Sequence, residues 1–208
     1  MKNQKLNLKL IVVFLIFSGC HQTKLVELKD DTGNIIEKYR ITKDSVKIGD
    51  YYSYFPGGTV REKAYYENGQ LNGERVLYFP SGDIEIQESY NMDIMNGAYK
   101  VFYENGNLLQ ELVYNEGKIQ GMLKGYYENG GIKEEVTIVD NEENGPFTEY
   151  YENGKIHWEG SYLNGDNEFG LLKEYNIDGV LIKKMNCDSL AICRTIWTLE
   201  KGDHVPEN

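Results

Sequence analysis

The sequence predicts an all-β fold, an elongated tandem array of 24-residue β-hairpin repeats closed by a C-terminal cap. The 208-residue chain contains 22 glycines and 17 tyrosines, but only 4 prolines and 3 histidines. The glycines recur in two interleaved series spaced by 24 or 25 residues, which indicates one repeated unit. The many aromatic residues exclude an acidic disordered chain, and the shortage of histidine argues against most acid-base and zinc chemistry.

The N-terminus is predicted to be an export signal. Its basic region consists of Lys2, Lys5 and Lys9, and residues 10–17 follow as an apolar run. Because this run is too short to span a bilayer as a helix, we expect a signal peptide rather than a transmembrane segment.

The end of this segment, Phe17-Ser18-Gly19-Cys20, resembles the lipobox of bacterial lipoproteins. In that family signal peptidase II cleaves before the cysteine, and the thiol carries a diacylglycerol. Phe17 departs from the pattern, in which leucine is commonest. The resemblance implies a signal peptide over residues 1–19, lipidation of Cys20 and a lipid anchor in the cell envelope, periplasmic or surface-exposed. An ordinary secretory signal and an uncleaved anchor are the alternatives, and both also export the chain.

The charge balance limits the partners of the exported chain. The full sequence has a formal net charge of -11, and removal of residues 1–19 leaves 19 basic and 33 acidic residues, a charge of -14. This sign argues against binding of nucleic acid or anionic lipid head groups by the body of the protein. It suits a solvated surface or a basic partner. Residues 20–32 are predicted to be the lipidated cysteine and a polar tether.

The first glycine series marks predicted hairpin turns. Its members are Gly33, Gly58, Gly82, Gly106, Gly130, Gly154 and Gly179. Three of these turns read Tyr-Glu-Asn-Gly, at residues 103–106, 127–130 and 151–154. Asn-Gly is a strong hairpin signal because both residues accept positive φ, so we expect both to adopt it in these turns.

The second series is predicted to follow the links between hairpins. Its members are Gly49, Gly73, Gly97, Gly121, Gly145 and Gly170. The segments 68–73, 115–121 and 164–170 are predicted to be turns that join successive hairpins. About six such units fill residues 33–185, and they must fold by stacking because an isolated hairpin is marginally stable.

Apolar and aromatic residues occupy fixed offsets from the first glycine series. Offsets +2 and +8 share parity, which predicts one continuous aliphatic and aromatic seam on one face of the sheet. Polar pairs such as Gln110-Glu111 and Glu134-Glu135 interrupt the alternation. We therefore expect a bend or β-bulge near the middle of the second strand of each hairpin.

The Tyr-Glu-Asn-Gly turns, with Asn-Gly pairs at 72–73, 96–97 and 144–145, resemble the MORN-variant repeat over about residues 31–184. This repeat is a bacterial relative of the membrane-occupation-and-recognition-nexus repeat. The resemblance implies a single-layer antiparallel sheet. The same repeat pattern resembles that of YwqK-like proteins, a family of antitoxin components of toxin–antitoxin pairs. Fold and activity are separable, so the resemblance is specific for the fold only.

We predict no catalytic residue, no cofactor and no enzymatic activity. The available histidines are His21, His157 and His204, and no serine or cysteine stands in a recognisable nucleophile motif. His157 is predicted to be structural. An envelope hydrolase that depends on His157 is the alternative.

A row of acidic side chains is the most tempting candidate metal site. Glu104, Glu128 and Glu152 recur every 24 residues, and calcium accepts such carboxylates. Pro56 and Pro80 occupy the same position in two other units, however, and glutamate is an ordinary solvated turn residue. We therefore predict no metal site.

Cys187 and Cys193 follow the last repeat and enclose five residues. In an exported chain this spacing favours a disulfide, with free thiols or a metal site as alternatives. Residues 186–208 break the repeat register, and we predict that they form a C-terminal cap and tail.

These observations predict a membrane-tethered, non-enzymatic, monomeric module that binds a protein or a glycan. The candidate interaction surface consists of Tyr103, Tyr127, Tyr151, Glu104, Glu128 and Glu152. The alternative, which the family resemblance implies, is an antitoxin or immunity protein that masks a basic toxin.

Overall fold

A computed structural model describes residues 9–11 and 23–203. The described chain is all-β and forms antiparallel hairpins in sequence order, which confirms the predicted fold class. None of the described residues forms a helix long and apolar enough to cross a membrane. The chain divides into two compact units, residues 1–97 and 98–208.

Among residues 9–11 and 23–97, the described part of the first unit, lie eight complete strands and the start of a ninth. They are β1 (Lys9–Ile11), β2 (Lys24–Lys29), β3 (Ile35–Ile41), β4 (Lys47–Tyr54), β5 (Val60–Glu67), β6 (Gln70–Leu71), β7 (Gly73–Tyr78), β8 (Ile84–Asn91) and β9 (Ile94–Phe102). Strand β1 lies within the predicted signal peptide and pairs with β2. Lipidation of Cys20 lies outside the described residues.

The second unit begins within β9 and continues to the end of the chain. Its strands are β10 (Leu108–Asn115), β11 (Lys118–Ile119), β12 (Gly121–Tyr126), β13 (Ile132–Val139), β14 (Glu142–Tyr150), β15 (Ile156–Tyr162), β16 (Glu168–Tyr175), β17 (Leu181–Cys187), β18 (Cys193–Thr198) and β19 (Gly202–Asp203). A disulfide joins Cys187 to Cys193 where β17 turns into β18. The segment predicted to be a cap thus adds two antiparallel strands to this unit.

The Tyr-Glu-Asn-Gly turns differ from the expected geometry. The Gly106 N–H donates to the Tyr103 carbonyl at 2.9 Å, and the Tyr103 N–H donates to the Asn107 carbonyl at 2.8 Å. Gly106 has φ of 86°, whereas Asn105 is not among the residues with positive φ. This pattern is a type I turn followed by a glycine bulge. The expectation that both Asn and Gly adopt positive φ is therefore wrong for these turns.

The mirror-image turns occur instead at the links between hairpins. Both residues have positive φ in Asn68-Gly69 and in Asn164-Gly165, as they do in Asp140-Asn141. Two successive residues of positive φ form the type I′ turn, whose twist matches the flanking strands. Asn-Gly therefore adopts the type I′ geometry in two of the links and not in the Tyr-Glu-Asn-Gly turns.

Two bulges per hairpin interrupt the strand alternation. Near the turn, Gly125 lies opposite Glu134 whereas Tyr126 lies opposite Ile132, so Lys133 is an extra residue. A second register shift falls opposite the middle of β3, β13 and β15, but the extra residues lie on the following strand, where residues 144–146 of β14 oppose Thr137 alone. The mid-strand irregularity is therefore present, but the expectation that the second strand itself bulges there is wrong. The parity argument that placed offsets +2 and +8 on one face is wrong, because the first bulge lies between them.

The buried residues come from the centres of the strands. In the second unit Val136, Ile138, Phe147, Leu172 and Cys187 form an apolar core cluster. The first unit is different: Tyr51 and Ala64 are buried, but so are Ser53 and Glu88. The same repeat therefore builds an apolar seam in one unit and a partly polar seam in the other.

Candidate interaction surface

The tyrosines of the Tyr-Glu-Asn-Gly turns bridge neighbouring repeats. Each hydroxyl donates a hydrogen bond to a backbone carbonyl of the next repeat. The three bonds are Tyr103 to Tyr126 at 2.8 Å, Tyr127 to Tyr150 at 2.6 Å and Tyr151 to Tyr175 at 2.9 Å. These predicted site tyrosines are half-buried, and their hydroxyls are used within the second unit.

The asparagines of these turns add a second bridge. The Asn105 side-chain amide donates to the Glu128 carbonyl at 3.0 Å, and the Asn153 amide donates to the Ile177 carbonyl at 2.9 Å. The turns at 103–106 and 151–154 are therefore bonded to the next turn through both tyrosine and asparagine, whereas Asn129 accepts from the Gly131 N–H beside its own turn. This bonding fixes the spacing of whatever the turns expose.

The turns expose the predicted acidic row, which consists of Glu104, Glu128 and Glu152. None of the three carboxylates forms a salt bridge with another residue in the described part of the chain. The equivalent position of the next turn is Ile177, which is 58% exposed. The row is therefore a line of three solvent-facing charges with an apolar residue at one end.

One face of the second unit carries a row of tyrosine–glutamate pairs that the sequence analysis missed. The tyrosine hydroxyls donate to the glutamate carboxylates. These pairs are Tyr126 with Glu111 at 2.6 Å, Tyr150 with Glu135 at 2.9 Å and Tyr175 with Glu159 at 2.7 Å. The 24-residue spacing of the glutamates is the signal that could have revealed the row.

Lysines complete this row and shift its ionisation. Lys124 lies 3.0 Å from Glu135, and Lys173 lies 2.6 Å from Glu159. The Lys124 ammonium, followed by the Tyr150 hydroxyl, lowers the pKa of Glu135. Burial, followed by the hydrogen bond to Glu111, raises the pKa of Tyr126 to about 12. The lysines neutralise Glu135 and Glu159, whereas Glu111 accepts from the Tyr126 hydroxyl and forms no salt bridge among the described residues.

The first unit contains a lysine enclosed by three aromatic rings. The Lys47 Nζ lies 4.7 Å from the ring centroid of Tyr39, 4.6 Å from that of Tyr51 and 5.0 Å from that of Tyr66. The Tyr51 ring lies 6.0 Å from the Tyr39 ring and 5.7 Å from the Tyr66 ring, centroid to centroid. We call these three residues the tyrosine cage.

An ion-paired arginine lies on the same seam of the first unit. Arg75 donates to Glu62 and to Glu88 at 2.7 Å each, and the Tyr90 hydroxyl donates to Glu88 at 3.2 Å. Arg75 lies two residues after Gly73 of the second series, and the equivalent residue in the second unit, two residues after Gly121, is Leu123. Since all its short contacts are internal, we interpret this cluster as structural.

The candidate catalytic and metal residues do not converge. His157 stacks on Tyr151 with ring centroids 4.3 Å apart, and its Nδ1 lies 3.8 Å from Glu149. His21 and His204 lie outside the described residues. Among the described residues, one group has metal-ligand spacing, Glu168 with Cys187 and Cys193, but both sulfurs belong to the disulfide.

Comparison with known families agrees with this geometry. The MORN repeat variant matches six times, at residues 47–68, 59–74, 71–92, 95–116, 119–140 and 143–164. These matches cover more than half of the chain, within the limits expected from the turn motifs. No curated protein sequence matches the chain. The chain belongs to the MORN repeat variant family.

Proposed function

We propose that the protein is a membrane-tethered, non-enzymatic interaction module that binds a basic protein partner through the acidic row. The observation that carries this proposal is the fixed line of Glu104, Glu128 and Glu152 on the turns of three successive repeats. Repeat proteins typically bind through such repeated surface positions. The net charge of -11 adds a long-range attraction for a basic partner.

The bridges between turns support a binding role for the row. Because Tyr127 and Asn105 bond to neighbouring repeats, the turns are ordered before a partner arrives. A pre-ordered surface loses less conformational entropy on binding than a flexible one. The acidic row is therefore suited to a partner whose lysines or arginines match its spacing.

The test neutralises the row without changing its shape. The triple variant Glu104→Gln, Glu128→Gln, Glu152→Gln is compared with the control Asp31→Asn, Glu74→Gln, Glu142→Gln, which removes three exposed charges elsewhere. In affinity capture from intact cells, we expect the wild type and the control to recover a stoichiometric basic protein. The triple variant should recover it roughly tenfold less well, because charge pairs at an interface contribute about 0.5 kcal/mol each.

Equal recovery by the triple variant would contradict the proposal.

The membrane tether is tested in the same cells with Cys20→Ala. This variant should move from the detergent phase to the aqueous phase, because the two acyl chains of the diacylglycerol on Cys20 are the proposed anchor. Retention in the detergent phase would mean that another segment holds the protein at the membrane.

A second candidate is an antitoxin or immunity role, favoured by the acidic surface and by the resemblance to YwqK-like proteins. Its partner would be a basic toxin that acts on the envelope or arrives from another cell. The two proposals differ in outcome: a captured partner that arrests growth when exported alone, and is neutralised by this chain, identifies an immunity protein. A captured partner without toxicity identifies an interaction module of another kind.

A further inference from the structure

The tyrosine cage holds an ammonium group by ring faces alone. The Lys47 Nζ lies within 5.0 Å of all three ring centroids. No described carboxylate lies within 4 Å of this nitrogen, whereas other lysines of the chain, such as Lys124, are ion-paired. Cation–π attraction therefore provides its main polar contact. A group held in this way can be exchanged for another cation.

The repeat does not need a cation or tyrosines at these positions. Lys47 lies two residues before a glycine of the second series, and the corresponding residues are Leu71, Met95, Ile119, Glu143 and Glu168. Around Ile119 the positions equivalent to Tyr39, Tyr51 and Tyr66 are Leu112, Leu123 and Ile138. Ile119, Leu123 and Ile138 pack in the core cluster of the second unit. Aliphatic residues thus build the same seam, so the cage is a local addition to the fold.

Carboxylates lie beside the cage, and its walls are fixed by burial. Glu37 and Glu62 both pair with Ser53 on neighbouring strands, one position along the seam from Tyr51. Burial raises the pKa of Tyr51, and these two carboxylates raise it further. Tyr51 is 7% exposed and forms a fixed wall, whereas Lys47 is only half-buried. Glu62 is ion-paired with Arg75, and Arg61 donates to Ser53, whereas Glu37 forms no salt bridge among the described residues. The cage is therefore pre-formed and open to solvent on the side of Lys47.

We propose that the tyrosine cage is a binding site for an alkylammonium group, the side chain of a lysine on a partner protein. Lys47 is its tethered occupant and is displaced when the partner's lysine enters. The present occupant is itself a lysine, so the site already accommodates this group. Only the choice of a partner protein as the source of the lysine rests on the proposed function. Binding of an ammonium group by the cage can be tested separately with a small molecule.

Tethering makes Lys47 an effective competitor. An intramolecular group has a local concentration in the millimolar range or above, which lowers the apparent affinity for any free ammonium ion. Removing the Lys47 side chain should therefore uncover binding that the wild type masks. The probe is n-butylammonium chloride, which matches the lysine side chain, and n-butanol is its uncharged counterpart.

The experiment compares three variants by following the tyrosine ring signals in NMR titrations. Lys47→Ala empties the cage, and we expect it to bind n-butylammonium at least about tenfold more tightly than the wild type. Lys47→Met keeps the cage filled with an uncharged chain and should not bind. Adding Tyr51→Leu to Lys47→Ala should abolish binding, while leucine at the equivalent position 123 shows that the fold accommodates this residue.

A measurement on the wild type keeps the proposal testable if Lys47→Ala does not fold. Ring currents should shift the Lys47 ε-methylene signal upfield, and n-butylammonium should move it toward the position of free lysine. Equal affinity of the wild type and Lys47→Ala, equal binding of n-butanol, or an unshifted Lys47 signal would each overturn the proposal. Because the probe needs no partner, failure here leaves the acidic row untouched, and failure of the capture experiment leaves the cage untouched.

Discussion

At the scale of single residues, tyrosine serves three different purposes in this chain. Tyr127 bridges two repeats through its hydroxyl, Tyr150 donates to a glutamate, and Tyr51 presents its ring face to a lysine. The repeat spacing predicts the columns in which these residues lie. It does not predict the partner of each hydroxyl, because that depends on which atoms the bulges bring within about 3 Å of one another.

The bridging role predicts a measurable loss when one hydroxyl is removed. Tyr127→Phe deletes the 2.6 Å bond to the Tyr150 carbonyl and keeps the ring. We expect the free energy of unfolding to fall by about 1 kcal/mol, the usual net value of such a bond. Urea denaturation of the purified protein measures it.

The control for this prediction is Tyr65→Phe. Tyr65 is 45% exposed, so loss of its hydroxyl should change stability by less than about 0.5 kcal/mol. Equal effects of the two substitutions would show that the bond to Tyr150 contributes nothing specific.

At the scale of elements, the two classes of turn explain most differences between expectation and structure. Asn-Gly occurs in both classes, yet both residues adopt positive φ only in links such as Asn68-Gly69. In the turn at Tyr103, bonds from Gly106 and to Asn107 select the type I turn with a glycine bulge. Pro80 fits this geometry, since proline favours the second position of a type I turn. Pro56 also occupies a second position, but Gly57 has φ of 105°, so that turn is type II. The preference of proline for the second position of these turns was the sequence signal that could have predicted their class.

The glycines of the second series are required by backbone geometry. Gly145 has φ of 122°, and a Cβ there would lie 3.2 Å from the Thr137 side chain. Gly145→Ala should therefore lower the free energy of unfolding by more than the roughly 1–2 kcal/mol that positive φ alone costs an alanine. Thermal or urea unfolding of the two proteins tests this expectation.

Gly121→Ala separates strain from crowding. Gly121 also has positive φ, 94°, but a Cβ there would meet nothing within 4 Å. It should therefore lose less stability than Gly145→Ala. The reverse order would mean that Thr137 moves aside freely and that φ alone sets the cost.

At the scale of the whole molecule, the repeat is a framework whose seam differs between the two units. The second unit fills its seam with residues such as Phe147 and Leu172. The first unit has Tyr51 and Arg75 at the equivalent positions, and Lys47 lies against the Tyr51 ring. A shared hairpin geometry therefore permits different chemistry on each unit, which is how a repeat family supports unrelated functions.

The modular framework predicts the effect of deletions. Removing residues 107–130 joins Gly106 to Gly131 and restores the same turn and strand order one repeat shorter. Far-ultraviolet circular dichroism and cooperative melting should show a folded protein. Removing residues 107–118 instead breaks the hairpin phase, because it deletes β10 and joins β9 directly to β12, a strand that runs in the same direction. We expect this protein to be unfolded. Equal stability of the two proteins would contradict a repeat built from whole hairpins.

The sequence by itself determined the period, the strand order and the family, because glycine spacing and turn motifs are local and repeat along the chain. It also located the exposed acidic row, since a turn tip is solvated in any hairpin array. Only the tertiary structure decided the turn classes, the parity of the strands and the cage around Lys47. These depend on single extra residues at bulges, and one such residue reverses which face every following side chain occupies.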